Sequence, residues 1–506
     1  LTPWYWIGLG LLVLDSILAF LDRELKKDAV FLLLLITLGL FLYGIVIFAY
    51  ANTRIPDSYM TTGQVQLLLA ARHIDIGNPP HLGSYFSWPA FHFINASILT
   101  TTGAGFGFIK YMPLFWMLLI TFITYGIGKR LELAPNRCFL LSFLVLSSWI
   151  SLTDYHPHSL GVYLFLLLFM LLLAPRRTVA DSVVTILIFT TLVLSHGFAS
   201  FAVLTGLLGL AIYRKETRFI ALFAVIFGAW WTYQAAWAME AGVRSWLLNP
   251  LVTIFREVEI AKTAWPSATA RAINRYSQLG LLASYTVLVF ASFILLLRRK
   301  IAQKHRKWVI SSICWSIGVA LLIFSGYGLE LDRMWAFSIL PAVSIIVLSF
   351  PIRKIATVVL IAMMFLSPTL RLPAHYGAEA AWAQVLTTEL KGVEFLAPLA
   401  HKVQPGEYIF NQYVSGYSLL LFYYPEVWTV PELNPGSQGS PPWPEVDFSM
   451  LDKVRYVTLS KQGEMGQVYA YGEDRYAAWP QTEAGKRANL LYNNGSYQIY
   501  ENHLAE

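Results

Sequence analysis

The chain reads as an α-helical polytopic membrane protein of about twelve spans, with a small mixed α/β domain at its C-terminal end. Three observations predict this. Of 506 residues, 56% are hydrophobic and 13% charged, and mean hydropathy is +0.54, far from the composition of a water-exposed fold. Apolar runs recur from Trp4 to about residue 370 and then stop. Lys and Arg gather in alternate loops between those runs, the asymmetry by which membrane proteins set their orientation.

The spans fall near 4–21, 29–50, 108–127, 138–152, 160–174, 180–195, 200–213, 219–238, 278–297, 308–325, 334–350 and 355–370. Trp4–Leu21 counts as a span rather than a signal peptide, because no small-residue cleavage pattern follows it. One set of alternate loops holds Arg23, Lys26 and Lys27; Lys129, Arg130 and Arg137; Arg176 and Arg177; and Arg214, Lys215 and Arg218. The same set continues with Arg298, Arg299, Lys300, Lys304, Arg306 and Lys307, then Arg353 and Lys354. All of these fall on one side, which is therefore cytoplasmic. The opposite side holds the loops 52–107 and 240–277, the turns at Asp154–His158, His196 and Glu330–Arg333, and the tail 371–506. The net charge of +7 is thus mostly cytoplasmic anchoring and calls for no nucleic acid partner. Cys138 and Cys314 lie far apart, in or beside spans, and form no disulfide framework.

Two outer segments read as helices in the interface rather than as spans. Met60–Ala71 has apolar positions at helical spacing on one side and Thr, Gln and Gly on the other, which places it along the membrane surface. Tyr85–Gly103 is broken by Pro89 and ended by Gly103, with Trp88 expected at headgroup depth. From Arg371 the chain gains Pro, Gly, Glu and Asn. Ala380–Leu399 has helical spacing; 407–411, 454–459, 468–471 and 497–500 read as short strands; and 431–444 is a Pro/Gly/Ser-rich loop. The domains are therefore 1–370, a transmembrane unit, and 371–506, one small exported unit of about 135 residues.

Ionisable groups at span mouths are costly to place and mark candidate chemistry. Asp57 follows the apolar run 29–50 within Ala51–Ala71, ANTRIPDSYMTTGQVQLLLAA, with Arg54 before it and His73 and Asp75 beyond. A carboxylate there reaches a lipid headgroup and a water-borne partner together; equally, it caps the interfacial helix. Asp154, His156 and His158 share one tight turn and have metal-ligand chemistry, with a hydrogen-bonded turn as the alternative. His196 in LSHGF reads as a site residue or as an interhelical hydrogen-bonding histidine. Arg256, Arg271 and Arg275 suit bidentate phosphate recognition, or form the polar side of a solvated helix. Arg333 either meets a phosphate at its span mouth or pairs with Glu330 and Asp332. No Walker motif, Gly-rich nucleotide loop or Ser-His-Asp pattern occurs, so an activated donor must arrive already loaded on a lipid. No organic cofactor is expected, and a divalent metal at Asp154, His156 and His158 stays open.

The run PDSYMTTGQVQLLLAARHIDIG followed by YFSWPAFHFINASILTTTG resembles the first outer loop of GT-C class membrane glycosyltransferases. The prokaryotic relatives that use lipid-phosphate sugars are the nearest in pattern, within the group of protein mannosyltransferases, aminoarabinose transferases and oligosaccharyltransferases. DYHPHSLGVYLFLLLFMLLL, LVLSHGFASF, ELDRMWAFSILPAVSII and the closing NLLYNNGSYQIYE are similar to blocks of the same group, in the same order. The resemblance implies an enzyme that passes a sugar from a polyprenyl-phosphate carrier to a glycan, lipid or protein acceptor on the extracytoplasmic face. It implies a general base at Asp57 and a lipid-phosphate contact at Arg333. The chain also departs from the pattern. Trp230-Trp231-Thr232-Tyr233-Gln234 lacks the acid of the oligosaccharyltransferase WWDYG motif, Ser58 rather than a second acid follows Asp57, and one extra span precedes the usual first. Transfer to protein sequons is therefore not implied. The chemistry needs one carboxylate: phosphate leaves without a general acid, while a base on the acceptor hydroxyl is worth about 10²–10⁴ in rate, and displacement inverts the anomeric centre. The alternatives are a non-catalytic GT-C-like subunit serving as a scaffold and, third, a lipid or solute transporter.

Overall fold

The computed structural model describes residues 2–22, 25–53, 56–72, 88–148, 155–174, 178–214, 218–233, 287–324, 337–348, 385–403, 408–412, 420–423, 454–465 and 474–502, apart from one or two positions within some of them. It is mostly helical, with one small sheet near the C-terminal end. Helix α1 (Pro3–Leu21) starts with a proline, whose missing N–H costs nothing in a first turn. The expected span 29–50 is two helices, α2 (Asp28–Tyr43) and α3 (Ile45–Ala49), parted at Gly44. Helices α4 (Pro56–Ala71) and α5 (Ala90–Thr102) follow. Gly103 closes α5 at φ +66, a left-handed cap that glycine takes without strain. A 3₁₀ turn, Phe106–Tyr111, leads into α6 (Met112–Arg130).

Lys129 at the end of α6 lies 2.8 Å from Asp28 at the start of α2, and Tyr125 Oη donates to the same carboxylate at 2.6 Å. The start of α2 and the end of α6 therefore share one face, and the two helices run antiparallel. At 13 residues, α5 is about 20 Å long, short of the roughly 30 Å of a bilayer core.

The chain continues through α7 (Pro135–Ser148), α8 (Pro157–Leu172), α9 (Val179–Ser195), α10 (Gly197–Arg214) and α11 (Arg218–Tyr233). Helix α9 opens on a reciprocal cap: Thr178 Oγ1 accepts the Asp181 N–H and Asp181 Oδ2 accepts the Thr178 N–H. Residues 289–297 and 339–344 are helical, and α12 (Gln303–Phe324) packs along α10 and α8, with Trp315 stacked on Phe169 at 4.1 Å. The expected span 355–370, the loop 240–277 and the boundary at 371 lie outside the described residues.

Two of the described helical stretches, Pro3–Leu21 and Phe106–Arg130, are long and apolar enough to cross a membrane by length and composition. Six shorter apolar helices accompany them among the described residues. Large apolar side chains stand outward along this bundle, among them Leu11 and Leu18 of α1, Phe115 and Phe122 of α6, Leu187 of α9 and Val225 of α11. A surface of that kind suits lipid. Trp88 is covered by Trp231 (ring centroids 6.3 Å apart).

In the C-terminal part, α13 (Thr387–Ala400) lies on a sheet of order β1-β2-β4-β3. The strands are β1 (Tyr408–Asn411), β2 (Val454–Ser460), β3 (Asn489–Asn493) and β4 (Tyr497–Glu501). Strand β2 runs parallel to β1 and antiparallel to β4, which pairs with β3. Three expected strands are present, and 468–471 lies outside the described residues. The helix expected from Ala380 starts only at Thr387, since 385–386 are non-helical. The β3–β4 turn holds Gly495 at φ +83, with Asn493 Oδ1 taking its N–H. Of the two N-x-Ser asparagines, Asn95 is buried and its Nδ2 donates to Phe91 O.

One carboxyl is enclosed here. Glu389 is 1% exposed; its Oε1 accepts the Gln462 N–H at 2.6 Å, while Oε2 has no hydrogen-bond partner among the described residues. Burial pushes its pKa up to about 8, against the lowering effect of the Gln462 amide and the Ser460 side chain. The folded state thus binds a proton that the unfolded chain releases near pH 4.5. This contribution is present below that pH and is lost as pH rises through about 8. Glu389→Gln is expected to flatten the fall in stability between pH 5 and 8 by on the order of a few kcal/mol. Unfolding curves of both proteins across that range check it, and parallel pH profiles would show the carboxyl is not the source.

Candidate functional site

The apolar run α2–α3 ends at Ala49, and the chain turns through Asn52 into α4, whose second residue is Asp57. The Asp57 backbone lies in the first turn of α4; its side chain lies outside the described residues. So do Arg54, His73, Asp154, Arg256, Arg271, Arg275, Glu330 and Arg333.

Helix α4 is covered from two directions. On one side Val65 and Leu68 pack against Ala96 and Leu99 of α5. On another, Tyr59, Met60 and Leu67 pack against the core of the C-terminal part, including Val393, Leu396 and Ile499. The Tyr59 ring meets Phe422 edge-on at 5.4 Å. Asn52 Nδ2 adds a second tie, donating to Val385 O at 2.9 Å and to Thr387 Oγ1 at 3.1 Å. Beside this tie an open cavity of about 200 Å³ lies between Ala49–Asn52 and Val385–Thr387.

The sequence puts Thr, Gln and Gly on the side of α4 opposite its apolar positions, and the structure covers that side within the protein. Thr61, Thr62 and Gln64 are buried, while Leu69 is partly exposed. Two of these groups are paired within the protein, while Gln64 Nε2 has no hydrogen-bond partner among the described residues. Thr62 Oγ1 donates to Ser58 O at 2.6 Å, and Gln64 Oε1 lies 2.8 Å from Nε2 of fully buried His92 on α5. Burial pulls the His92 imidazole down to about 3, so it is neutral and its Nε2–H donates to the amide oxygen. Ser58, next to Asp57, is 1% exposed, and its Oγ accepts the N–H of Tyr155 at 3.1 Å.

Tyr155 leads the histidine turn. Its ring is 1% exposed, between Phe91 (4.9 Å) and Phe108 (6.0 Å). His156 is the N-cap of α8, where its Nδ1 accepts the His158 N–H at 3.3 Å. His196 plays the same part for α10: its Nδ1 accepts the Ala199 N–H at 3.2 Å. With Nδ1 accepting, each ring carries its proton on Nε2, a hydrogen-bond donor. That polarity suits an anionic oxygen. A metal ion at this turn would have to take Nε2 in exchange for its proton, or rely on Asp154 and Asp57. Among the described residues no group of three or more His, Cys, Asp or Glu is arranged to hold a metal ion.

The fold brings together two histidines that the sequence keeps 38 positions apart. The rings of His158 and His196 are 5.1 Å apart, and Phe337 meets His158 at 5.5 Å. Gly161 allows this approach, since a Cβ there would sit 3.1 Å from His196 Cβ and Ala199 Cβ. Ser58, Gln64, His92 and Tyr155 are not among the site residues expected from the sequence, although Ser58 follows Asp57, Tyr155 lies in the histidine turn and His92 lies in the YFSWPAFHF run of the resemblance.

No family model matches the chain, and no curated protein matches it in sequence. Solved structures do resemble it in overall course. An oligosaccharyltransferase from Archaeoglobus fulgidus, tethered to an acceptor peptide containing the NVT sequon, covers 96% of this chain and 75% of its own at 10% identity and a TM-score of 0.49. ArnT from Cupriavidus metallidurans, bound to undecaprenyl phosphate, covers 94% of this chain and 98% of its own at 13% identity and a TM-score of 0.37. Both fall within the group that the sequence resembles. At these identities and scores the likeness assigns no residue a role.

The Gln64–His92 pair is a buried polar contact whose loss is measurable. Gln64→Leu leaves the His92 N–H without its acceptor and is expected to cost about 1–3 kcal/mol. Combining it with His92→Phe is expected to recover most of that loss. Thermal unfolding in detergent of the two single variants and the double variant decides it. Additive losses would mean that the two side chains are not coupled.

Proposed function

We propose that the chain is an inverting glycosyltransferase that moves a sugar from a polyprenyl-phosphate carrier to an acceptor hydroxyl at the extracytoplasmic membrane face. The observation that carries the reading is the placing of Asp57. It stands in the first turn of a helix that starts where an apolar helix run ends, and that helix is clamped between the bundle and the C-terminal part. A carboxylate in that position meets a substrate whose lipid lies in the bilayer and whose sugar lies outside it.

In this scheme Asp57 takes the proton of the acceptor hydroxyl as its oxygen attacks the anomeric carbon, and the bond to the carrier phosphate breaks on the opposite side. The phosphate leaves with the bonding electrons and needs positive or N–H partners rather than an acid. Arg54, Arg256, Arg271, Arg275 and Arg333 supply them by residue type, with His73, His156 and His196 as further hydrogen-bond donors. Asp154, His156 and His158 are the residues that would hold a divalent cation beside Asp57, His156 then giving up its Nε2 proton and its part as a donor, and the cation would neutralise phosphate charge. The bundle lies in the membrane with its Lys- and Arg-rich loops cytoplasmic, and the C-terminal domain lies outside.

Purified protein in lipid is expected to consume one member of a panel of radiolabelled polyprenyl-phosphate sugars. Asp57→Asn is expected to lower kcat by about 10²–10⁴. Full turnover by Asp57→Asn would remove the base assignment. A folded wild type that consumes no donor, and that purifies in fixed stoichiometry with another subunit, would mark it as a non-catalytic scaffold.

A further inference from the structure

We infer that Ser58 is a positioning residue for Asp57, whose hydroxyl ties the first turn of α4 to the turn that carries His156 and His158. This rests on the reading of Asp57 as the base. The geometry is specific. Ser58 Oγ takes a backbone N–H from Tyr155, 97 positions along the chain, rather than the local amide that a serine in a first turn ordinarily takes. Both ends of the bond are enclosed, each at 1% exposure. Water therefore does not compete for either group, and removal of the hydroxyl leaves a buried amide unsatisfied.

The donor end is anchored independently. The Tyr155 ring is wedged between Phe91 of α5 and Phe108 of the 3₁₀ turn, and one residue later His156 caps α8. The acceptor end is anchored as well, because Thr62 Oγ1 holds the Ser58 carbonyl and the neighbouring Tyr59 ring rests on Phe422. The bond thus joins two rigid pieces, one residue after Asp57 and one residue before His156. What it fixes is the spacing between the first turn of α4, which carries Asp57, and the turn that carries His156 and His158. Acceptor activation and phosphate stabilisation must occur at the two ends of one displacement, and a shift of about 1 Å between them costs on the order of 10²-fold in rate.

The test uses full-length protein in lipid nanodiscs, with Ser58→Ala and the isosteric pair Ser58→Thr and Ser58→Val. Hydrogen exchange is followed over residues 57–60 and 155–158, together with unfolding temperature and with kcat and KM for the sugar donor that wild type consumes. Ser58→Ala and Ser58→Val are expected to exchange faster in both segments and to lose about ten- to a hundredfold in kcat, with KM within about twofold. Ser58→Thr is expected to restore exchange and kcat together. Unchanged exchange in the variants without a hydroxyl overturns the tie. A loss of kcat that Ser58→Thr does not restore, or that follows unfolding temperature alone, overturns the positioning role. Should Ser58→Ala fail to fold, the Thr and Val pair decides by the same readings. If wild type consumes no donor, the transferase reading falls, and exchange still decides the tie.

Discussion

Polar groups removed from water need partners inside the protein, and helix α4 buries several of them together. Its covered side offers Ser58, Thr61, Thr62 and Gln64. The partners come from three separate stretches of sequence: α4 itself, His92 of α5 and the Tyr155 amide. An amphipathic helix on a membrane surface is free to slide and roll, because lipid contacts are non-directional. A helix whose polar side is paired in this way is not. The hydrogen bonds join α4 to α5 and to the Tyr155 turn, and the apolar contacts of Tyr59, Met60 and Leu67 join it to the C-terminal part.

The histidines follow the same logic on the neighbouring helices. His156 and His196 each spend one ring nitrogen on capping a helix start, which removes the ambiguity of tautomer that makes imidazoles versatile. With Nδ1 committed, the ring acts as an oriented hydrogen-bond donor. Helix starts carry partial positive charge from their exposed amides. The beginnings of α8 and α10 therefore reinforce the polarity of the rings that cap them, and His158 beside His196 draws the two starts together.

Sequence periodicity located most helices well, because apolar runs and their punctuation are local properties. Gly103 ends α5 where its φ of +66 demands glycine, and β2 and β4 fall within a residue or two of their expected positions. What periodicity does not carry is which side of a two-faced helix is covered. For α4 both sides are covered: Val65 and Leu68 pack on α5, and Thr61, Thr62 and Gln64 are buried as well. The meeting of His158 with His196, and of Ser58 with Tyr155, depends on tertiary packing that no spacing rule encodes. Strand β3 was legible only as part of a closing hairpin; its alternation is weak and its side chains are mostly exposed or half-buried.

The separation in sequence between α4 and its apolar cover has a consequence for biogenesis. Tyr59, Met60 and Leu67 rest on residues 385–499, which leave the ribosome more than 300 residues later. At about 5–20 residues per second, the first outer loop waits tens of seconds with its outer apolar side uncovered. The cover also needs the parallel pairing of β1 with β2 across more than 40 intervening residues, a slow non-local closure. Maturation of the first outer loop is thus a late event, timed by residues 385–499 rather than by insertion of the first helices.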